Sequence, residues 1–154
     1  MAIFVINEWL WADSSWRNGR GPQREALNLM MRLASSEDQI VVVEGSAFDQ
    51  KAWACCKSSD SEALALARIF VRAIRQDSDR CRVLSTEAVA NLTDDLALSI
   101  KPDDHYLVRA LMSVVGAVLV TTDAPLLEIV RQAGFQCLSR EEFIRAVAAG
   151  VELR

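Results

Sequence analysis

The sequence predicts an α/β fold: a single three-layer domain with a central parallel sheet of about five strands and helices on both faces. Short apolar runs rich in β-branched residues recur along the chain, and a stretch with helical spacing follows most of them. Strands joined through helices pair in parallel by right-handed crossovers. With 154 residues and no Pro-rich, Gly-rich or Ser-rich linker, the chain is expected to form one domain over 1–154.

Five segments have the composition and length of buried strands. They are apolar, contain many β-branched residues, and are bounded by polar or turn residues. The segments are AIFVIN (2–7), QIVVVEG (39–45), RCRVLS (80–85), AVLVTT (117–122) and FQCL (135–138).

Helix signals separate these segments. Pro22 suits the first turn of a helix that runs to about residue 35, and Ser46 can cap a helix at 47–56. Two pairs have capping-box spacing, before helices at 63–75 and 140–150; the pairs are Ser59 with Glu62 and Ser139 with Glu142. Further helices are predicted by their apolar spacing at 86–98, 103–116 and 124–134.

Composition limits the classes of function. The apolar runs are too short to span a bilayer and the first residues lack signal-peptide features, which predicts a cytoplasmic protein without membrane contact. The four cysteines form no metal-binding or redox motif, so reduced thiols are expected. A net charge of −4 excludes a broad cationic surface. Basic residues gather only in WRNGRGPQR, where Arg17, Arg20 and Arg24 form either a solvated loop or a contact for substrate phosphates.

Acidic residues stand where two predicted strands end and where one helix begins. Glu8 follows the first strand, Asp123 follows the fourth, and Asp103 and Asp104 come directly after Pro102. Ligands of parallel sheets bind beyond the carboxyl ends of the strands, so Asp123 and either Asp103 or Asp104 are expected to share one crevice. Oxygen ligands of this kind suit Mg²⁺ or Mn²⁺. Each aspartate could instead cap a helix, and both interpretations stay open on the sequence.

The segment DDHYLVRALMSVVGAVLVTTDAPLLEIVRQAGFQCLSREEF (103–143) resembles the C-terminal half of PIN-domain proteins. It has an acid, an apolar helix, a strand ending in Thr-x-Asp, a helix, and a short strand before an acidic helix start with Phe. The resemblance implies a PIN-like fold and a metal-dependent ribonuclease, and many such proteins are VapC-type toxins paired with an antitoxin. It also implies that Asp104 and Asp123 are catalytic metal ligands and that Thr121, the small polar residue before the last acid, contributes to substrate binding.

The chain departs from the family pattern at its first acid. PIN-domain proteins place an aspartate directly after the first strand, where this chain has Asn7, with Glu8 one position later. Either Glu8 replaces that aspartate through its longer side chain, or metal binding is weakened. For the second acid of the family the candidate is Asp49, either as a metal ligand or as an exposed helix residue, with Glu44 as the alternative.

Aromatic side chains and the single histidine each have two interpretations. His105, beside the acids, is either a general base or a surface helix residue. Trp9, Trp11, Trp16 and Trp53 could stack on bases, but Trp9, Trp11 and Trp53 are expected to fill the core or a dimer interface.

Two functions are consistent with these features. The first is a Mg²⁺- or Mn²⁺-dependent endoribonuclease, in which Glu8, Asp49, Asp104 and Asp123 hold the metal and the arginines hold the RNA backbone. The second is a PIN-like protein with a degenerate site that serves as an RNA-binding or protein-interaction module. The apolar excess and the Trp-rich N-terminal segment also predict a homodimer.

Overall fold

A five-stranded parallel sheet forms the centre of the molecule, of which the computed structural model describes residues 1–150. The strands are β1 (Ile3–Ile6), β2 (Gln39–Val43), β3 (Cys81–Leu84), β4 (Ala117–Thr121) and β5 (Gln136–Ser139). Their order in the sheet is β3-β2-β1-β4-β5. β1 is therefore the central strand, and Ile6 near its carboxyl end lies beside Val120 of β4.

Eight α-helices connect and cover these strands within the described residues. They are α1 (Trp9–Ser14), α2 (Arg20–Ser35), α3 (Ala47–Cys55), α4 (Ser61–Ile69), α5 (Asp94–Ser99), α6 (His105–Ser113), α7 (Ala124–Gln132) and α8 (Arg140–Ala149). A π-helical segment, Phe70–Arg75, continues α4, and a 3₁₀ turn, Pro102–Asp104, precedes α6. Between residues 1 and 150 no helix is long and apolar enough to cross a membrane.

The sheet separates two apolar cores, because successive side chains of a strand point to opposite faces. On β1, Phe4 and Ile6 belong to the first core and Ile3 and Val5 to the second. The first core is completed by α1, α2, α3, α4, α8 and the π-helical segment, and the second by α6 and α7. The predicted α/β class with helices on both faces of a parallel sheet is confirmed.

The strands and several helix caps agree with their predicted positions. Four strands lie inside their predicted segments, and β5 is shifted by one residue. Ser46 caps α3 by accepting the amide of Asp49, and Ser139 with Glu142 forms the expected capping box of α8. The capping box predicted for Ser59 and Glu62 is wrong, since Asp60 caps α4 by accepting the amide of Ala63. Aspartate caps a helix as well as serine does, and Asp60 stands next to the first helical residue.

The helix predicted at 86–98 is mostly absent, and only its end forms α5. Tertiary hydrogen bonds use the backbone groups that a helix would need here. The amide of Ala90 donates to Ser113 Oγ at 2.8 Å, and Arg109 donates to the carbonyls of Ala90 and Thr86. Thr93 then caps α5.

Helix α1 was not predicted, because its six residues carry no capping signal. Glu8 makes no side-chain cap, and so short a helix is unstable in isolation. Burial of Trp9, Leu10 and Trp11 in the first core stabilises it. The helix turns the chain immediately after β1 and leaves Asn7 and Glu8 at the carboxyl edge of the sheet.

Candidate functional site

Three of the predicted acids lie at the carboxyl edge of the sheet. Glu8 follows β1, Asp123 follows the neighbouring strand β4, and Asp104 ends the 3₁₀ turn before α6. Helix α6 packs against β1, β2 and β4 and so brings its N-terminus to the ends of the same strands. We call Glu8, Asp104 and Asp123 the acidic cluster.

The pKa of Asp104 reflects its burial and its acidic neighbours. Its half-buried position raises the pKa of Asp104 above the usual carboxyl range, and the negative charges of Asp123 and Glu8 raise it further. Lys101 opposes this rise, and Asp103 adds a smaller one. A cation placed beside these carboxylates would offset the repulsion between them.

Asp123 caps α7, which confirms the interpretation of this residue as a helix cap. Its Oδ1 accepts the amide of Leu126 at 3.1 Å. Its other oxygen, Oδ2, has no hydrogen-bond partner within residues 1–150. A cap uses one oxygen of a carboxylate, and the second oxygen stays free for a ligand.

Asn7 and Thr121 are buried, and their side chains hydrogen-bond to each other and to the backbone of Glu8 and Asp123. Asn7 Nδ2 donates to Thr121 Oγ1 at 2.9 Å, and Asn7 Oδ1 accepts the amide of Glu8 at 2.6 Å. Thr121 Oγ1 also accepts the amide of Asp123 at 3.1 Å. Thr121 is 1% exposed, which favours a role in positioning Glu8 and Asp123 over the predicted contact with substrate.

Glu8 has a cationic neighbour that the sequence did not reveal. Lys51 Nζ on α3 lies 3.7 Å from Glu8 Oε2, and both side chains are partly exposed. Nothing in the local sequence distinguishes Lys51 from any other exposed helix lysine. Its proximity to Glu8 depends on how α3 packs beside the end of β1.

The carboxylate of Asp49 is held by partners outside the acidic cluster. It is 4% exposed, so the alternative of an exposed helix residue is wrong. Arg75 donates to both of its carboxylate oxygens at 3.1 and 3.4 Å, and the amide of Gly45 donates to Oδ2 at 3.0 Å. Glu44, the alternative second acid, is exposed beyond β2, and its charge acts on Arg75. The environment of Asp49 is that of a structural ion pair.

The three arginines of the predicted phosphate-contacting loop differ in their surroundings. Arg20 pairs with Asp60 at 3.0 Å, donates to Gln23, and stacks 4.4 Å above the centre of the Trp16 ring. Arg24 is exposed on α2. Arg17 lines a groove together with Lys51, and its charge acts on the Cys55 thiol. Of the three, Arg17 is the one that shares a groove with Lys51, the neighbour of Glu8.

The contacts of His105 are those of a structural residue and do not support a role as general base. Its Nε2 lies 2.9 Å from the carbonyl of Ile100 and 3.2 Å from that of Ala97, so the ring donates to the end of α5. Trp9 and Trp11 are buried in the first core as predicted, whereas Trp53 is 45% exposed and does not fill the core. The homodimer interface expected for these residues stays a prediction.

Tyr106, at the start of α6, was missed by the sequence analysis. Its hydroxyl is buried and has no hydrogen-bond partner within residues 1–150. Burial raises the pKa of Tyr106, and the charges of Glu8 and Asp104 raise it further, which places the phenol beside the acidic cluster. The backbone of Phe48 opposes that rise in pKa without reaching the hydroxyl in hydrogen-bond geometry.

The side chains of the acidic cluster have the right chemistry to bind a divalent cation, but they are not arranged closely enough to hold one. Its donors are carboxylate oxygens, which Mg²⁺ and Mn²⁺ prefer. Across residues 1–150, however, no three His, Cys, Asp or Glu side chains are grouped closely enough to hold a metal ion. The four cysteines are all unpaired thiols, as predicted, and Cys81 and Cys137 are buried.

The chain matches none of the models of known protein families, and no curated protein is significantly similar to it.

Proposed function

We propose that this protein is a PIN-like, Mg²⁺- or Mn²⁺-dependent endoribonuclease whose acidic cluster is the metal site. The observation that carries the proposal is the position of Glu8, Asp104 and Asp123 at the carboxyl edge of the sheet, where Asp123 and Glu8 add to the burial that raises the pKa of Asp104. The negative charges of Asp123 and Glu8 disfavour the ionised form of Asp104 in the metal-free protein, since like charges repel. Carboxylates whose pKa is perturbed by burial and neighbouring charges are typical of functional sites.

Each member of the acidic cluster has a distinct position toward a cation. Asp123 offers its free Oδ2 while Oδ1 holds α7, and Asp104 offers a carboxylate at the N-terminus of α6. Glu8 reaches the same edge from β1, and its amide is held by Asn7. A bound Mg²⁺ or Mn²⁺ supplies Lewis-acid polarisation of a phosphodiester and lowers the pKa of an attacking water.

In the metal-free protein, the Lys51 ammonium lies beside Glu8, where the metal ion would bind. Its ammonium neutralises the Glu8 carboxylate across 3.7 Å, and both groups are exposed enough to separate. An exposed ion pair of this kind contributes at most about 1 kcal/mol, so a divalent cation can displace it. Lys51 is then free to meet the negative charge of an RNA phosphate.

Cleavage of RNA tests the proposal directly. Purified protein is incubated with 5′-labelled single-stranded RNA and Mn²⁺, with and without EDTA. Cleavage that EDTA abolishes, and that Asp104→Asn and Asp123→Asn each reduce by at least about a hundredfold, is the expected result, because each change removes a charged donor. The matched control is Asp95→Asn, an exposed acid on α5, which should cleave at the wild-type rate.

The second candidate is an RNA-binding or protein-interaction module with a degenerate metal site. Two observations favour it: Asn7 stands where the resembled family has an acid, and within residues 1–150 no three candidate ligands are grouped tightly enough for a metal. Calorimetric titration with Mn²⁺ that shows no heat of binding supports this candidate and rejects the nuclease. An antitoxin partner and a cytoplasmic location stay predictions.

A further inference from the structure

A groove of about 260 Å³ lies between α1 and α3. Its walls come from the end of α1, the loop that follows, α3 itself and the turn after α3. Pockets for drug-sized molecules have volumes of about 300–1,000 Å³, so this groove suits a smaller molecule. Within residues 1–150, no Asp or Glu side chain lines it.

Two cations line this groove in a protein whose net charge is −4. Arg17 has neither an ion pair nor a side-chain hydrogen bond to any other residue between 1 and 150. Lys51 has only its long contact with Glu8 at 3.7 Å. Because no carboxylate of the groove neutralises the guanidinium or the ammonium, the groove attracts anions.

The uncharged polar groups of the groove add hydrogen-bond donors and no negative charge. Trp11 is 2% exposed, and its Nε1 has no acceptor within the described part of the chain. Ser58 Oγ accepts the amide of Asp60 at 3.1 Å and donates to no group between residues 1 and 150. Burial raises the pKa of Cys55, so this thiol is neutral at pH 7. Donors therefore outnumber acceptors here, and a complementary ligand brings the acceptors.

Apolar side chains line the rest of the groove. Trp11, Ala12 and Ala54 are among them, and the two alanines are small enough to leave space between the helices. An apolar group that fills this space is removed from water, which is favourable. Apolar walls with a few polar groups are typical of sites for small molecules.

We propose that the groove between α1 and α3 is a binding site for a small organic anion, whose carboxylate or phosphate group meets Arg17 and Lys51 and whose apolar body lies between the helices. The Arg17 guanidinium can donate two parallel hydrogen bonds to either kind of group, and the Lys51 ammonium adds a second positive charge. This site requires neither a metal ion nor RNA, so it is independent of the proposed nuclease.

Binding is tested by titration of the ¹⁵N-labelled protein with phenyl phosphate and with phenylacetate. Benzyl alcohol serves as the uncharged probe, and EDTA prevents an anion from binding through a metal ion. The indole N–H signal of Trp11, assigned by its loss in Trp11→Phe, is expected to shift with at least one anion. The internal control is the signal of Trp9, whose Nε1 donates to the carbonyl of Val120 at 3.2 Å and which should not shift.

Charge-neutral variants test the role of the two cations. Arg17→Gln and Lys51→Gln are each expected to weaken binding of the preferred anion about tenfold, the effect of losing one hydrogen bond between charged groups. The matched control is Arg72→Gln, an exposed arginine in the π-helical segment, which should leave the affinity unchanged. All three altered residues are exposed, and thermal melts confirm that the variants are folded before affinities are compared.

The outcomes also identify the anionic group. Binding of phenyl phosphate alone assigns a phosphate ester to the groove, and binding of phenylacetate alone assigns a carboxylic acid. The proposal is overturned if neither anion shifts the Trp11 signal, if benzyl alcohol binds as tightly as the anions, or if Arg17→Gln and Lys51→Gln both keep the wild-type affinity. None of these results depends on whether the protein cleaves RNA.

Discussion

Two groups of acidic side chains in this molecule differ in what neutralises them. Asp13 and Asp49 are 2% and 4% exposed, and each is paired with an arginine: Arg140 Nε lies 2.7 Å from Asp13, and Arg75 Nε lies 3.1 Å from Asp49. Within the described residues, the acidic cluster of Glu8, Asp104 and Asp123 has no ion pair with an arginine; Lys51 lies beside Glu8, and the charge of Lys101 acts on Asp104. The paired carboxylates connect elements of the fold, whereas those of the acidic cluster lie together at the sheet edge with lysines beside them.

Removal of an arginine from a paired acid should have the largest effect on stability. Arg140 joins α8 to α1 through Asp13, and Arg140→Met leaves that carboxylate buried without its cation. A loss of about 3 kcal/mol in the free energy of unfolding is expected, because an unpaired buried charge is strongly destabilising. Urea denaturation measures it. Arg145→Met on the exposed side of α8 is the matched control, and an equal loss in both variants would contradict a stabilising role of the ion pair.

Neutralisation of one acid in the cluster should instead affect stability only when metal is present. Asp123→Asn keeps the cap of α7, since asparagine caps about as well as aspartate, so the melting temperature of the metal-free protein should hardly change. Mn²⁺ at about 100 times its Kd should stabilise the wild type by about 2.7 kcal/mol. Asp123→Asn should lose most of that stabilisation. Equal Mn²⁺-induced shifts in the two proteins would show that Asp123 is a cap only.

The buried hydroxyl of Tyr106 should give a smaller effect of opposite sign. Tyr106→Phe keeps the ring and removes a buried hydroxyl that has no partner within residues 1–150. A gain of about 1 kcal/mol in the metal-free protein is expected, because an unpaired buried polar group carries a desolvation cost. Thermal or urea denaturation measures the difference in stability between wild type and Tyr106→Phe. Phe48 and the rest of the core are left unchanged in this variant. A loss of stability would show that the hydroxyl has a partner, such as a bound water.

The smallest effect is the pH dependence that Asp104 contributes. Its pKa is raised in the folded protein, so above its ordinary value the folded chain binds this proton more tightly than the unfolded chain does. The free energy of unfolding should therefore fall as pH rises from the ordinary to the raised pKa, and the penalty is complete above that range. Comparison of wild type with Asp104→Asn in metal-free buffer isolates this contribution. A difference between the two that does not change over this pH range would contradict the crowding of the acidic cluster.

Local signals explain what sequence reasoning predicted well. Strand positions follow from short apolar runs, and the caps at Ser46 and Ser139 follow from side chains that bond an amide three residues later. The failure at 86–98 has the opposite cause. There, Arg109 and Ser113 bind the backbone from 19 and 23 residues away, and no local pattern announces such bonds.

The residues of the candidate site also separate into those that local sequence signals predict and those that depend on long-range packing. Position relative to strand ends placed Glu8 and Asp123 at one edge of the sheet, because adjacent parallel strands end together. Sequence position could not distinguish Asp49 from them, although Arg75, 26 residues further on, neutralises it. Nor could it find Lys51 or the unpartnered hydroxyl of Tyr106, since both properties depend on where α3 and α6 pack.

The sequence by itself determined the α/β class, the strand positions and the candidate acids at the strand ends, because apolar periodicity and capping act over a few residues. Only the tertiary structure decided which acids are neutralised. Asp13 meets Arg140 across 127 residues of sequence, and Asp104 meets the charges of Glu8 and Asp123. Electrostatic energies depend on distance and burial in space, so the packing of helices on the sheet separates structural acids from the acidic cluster.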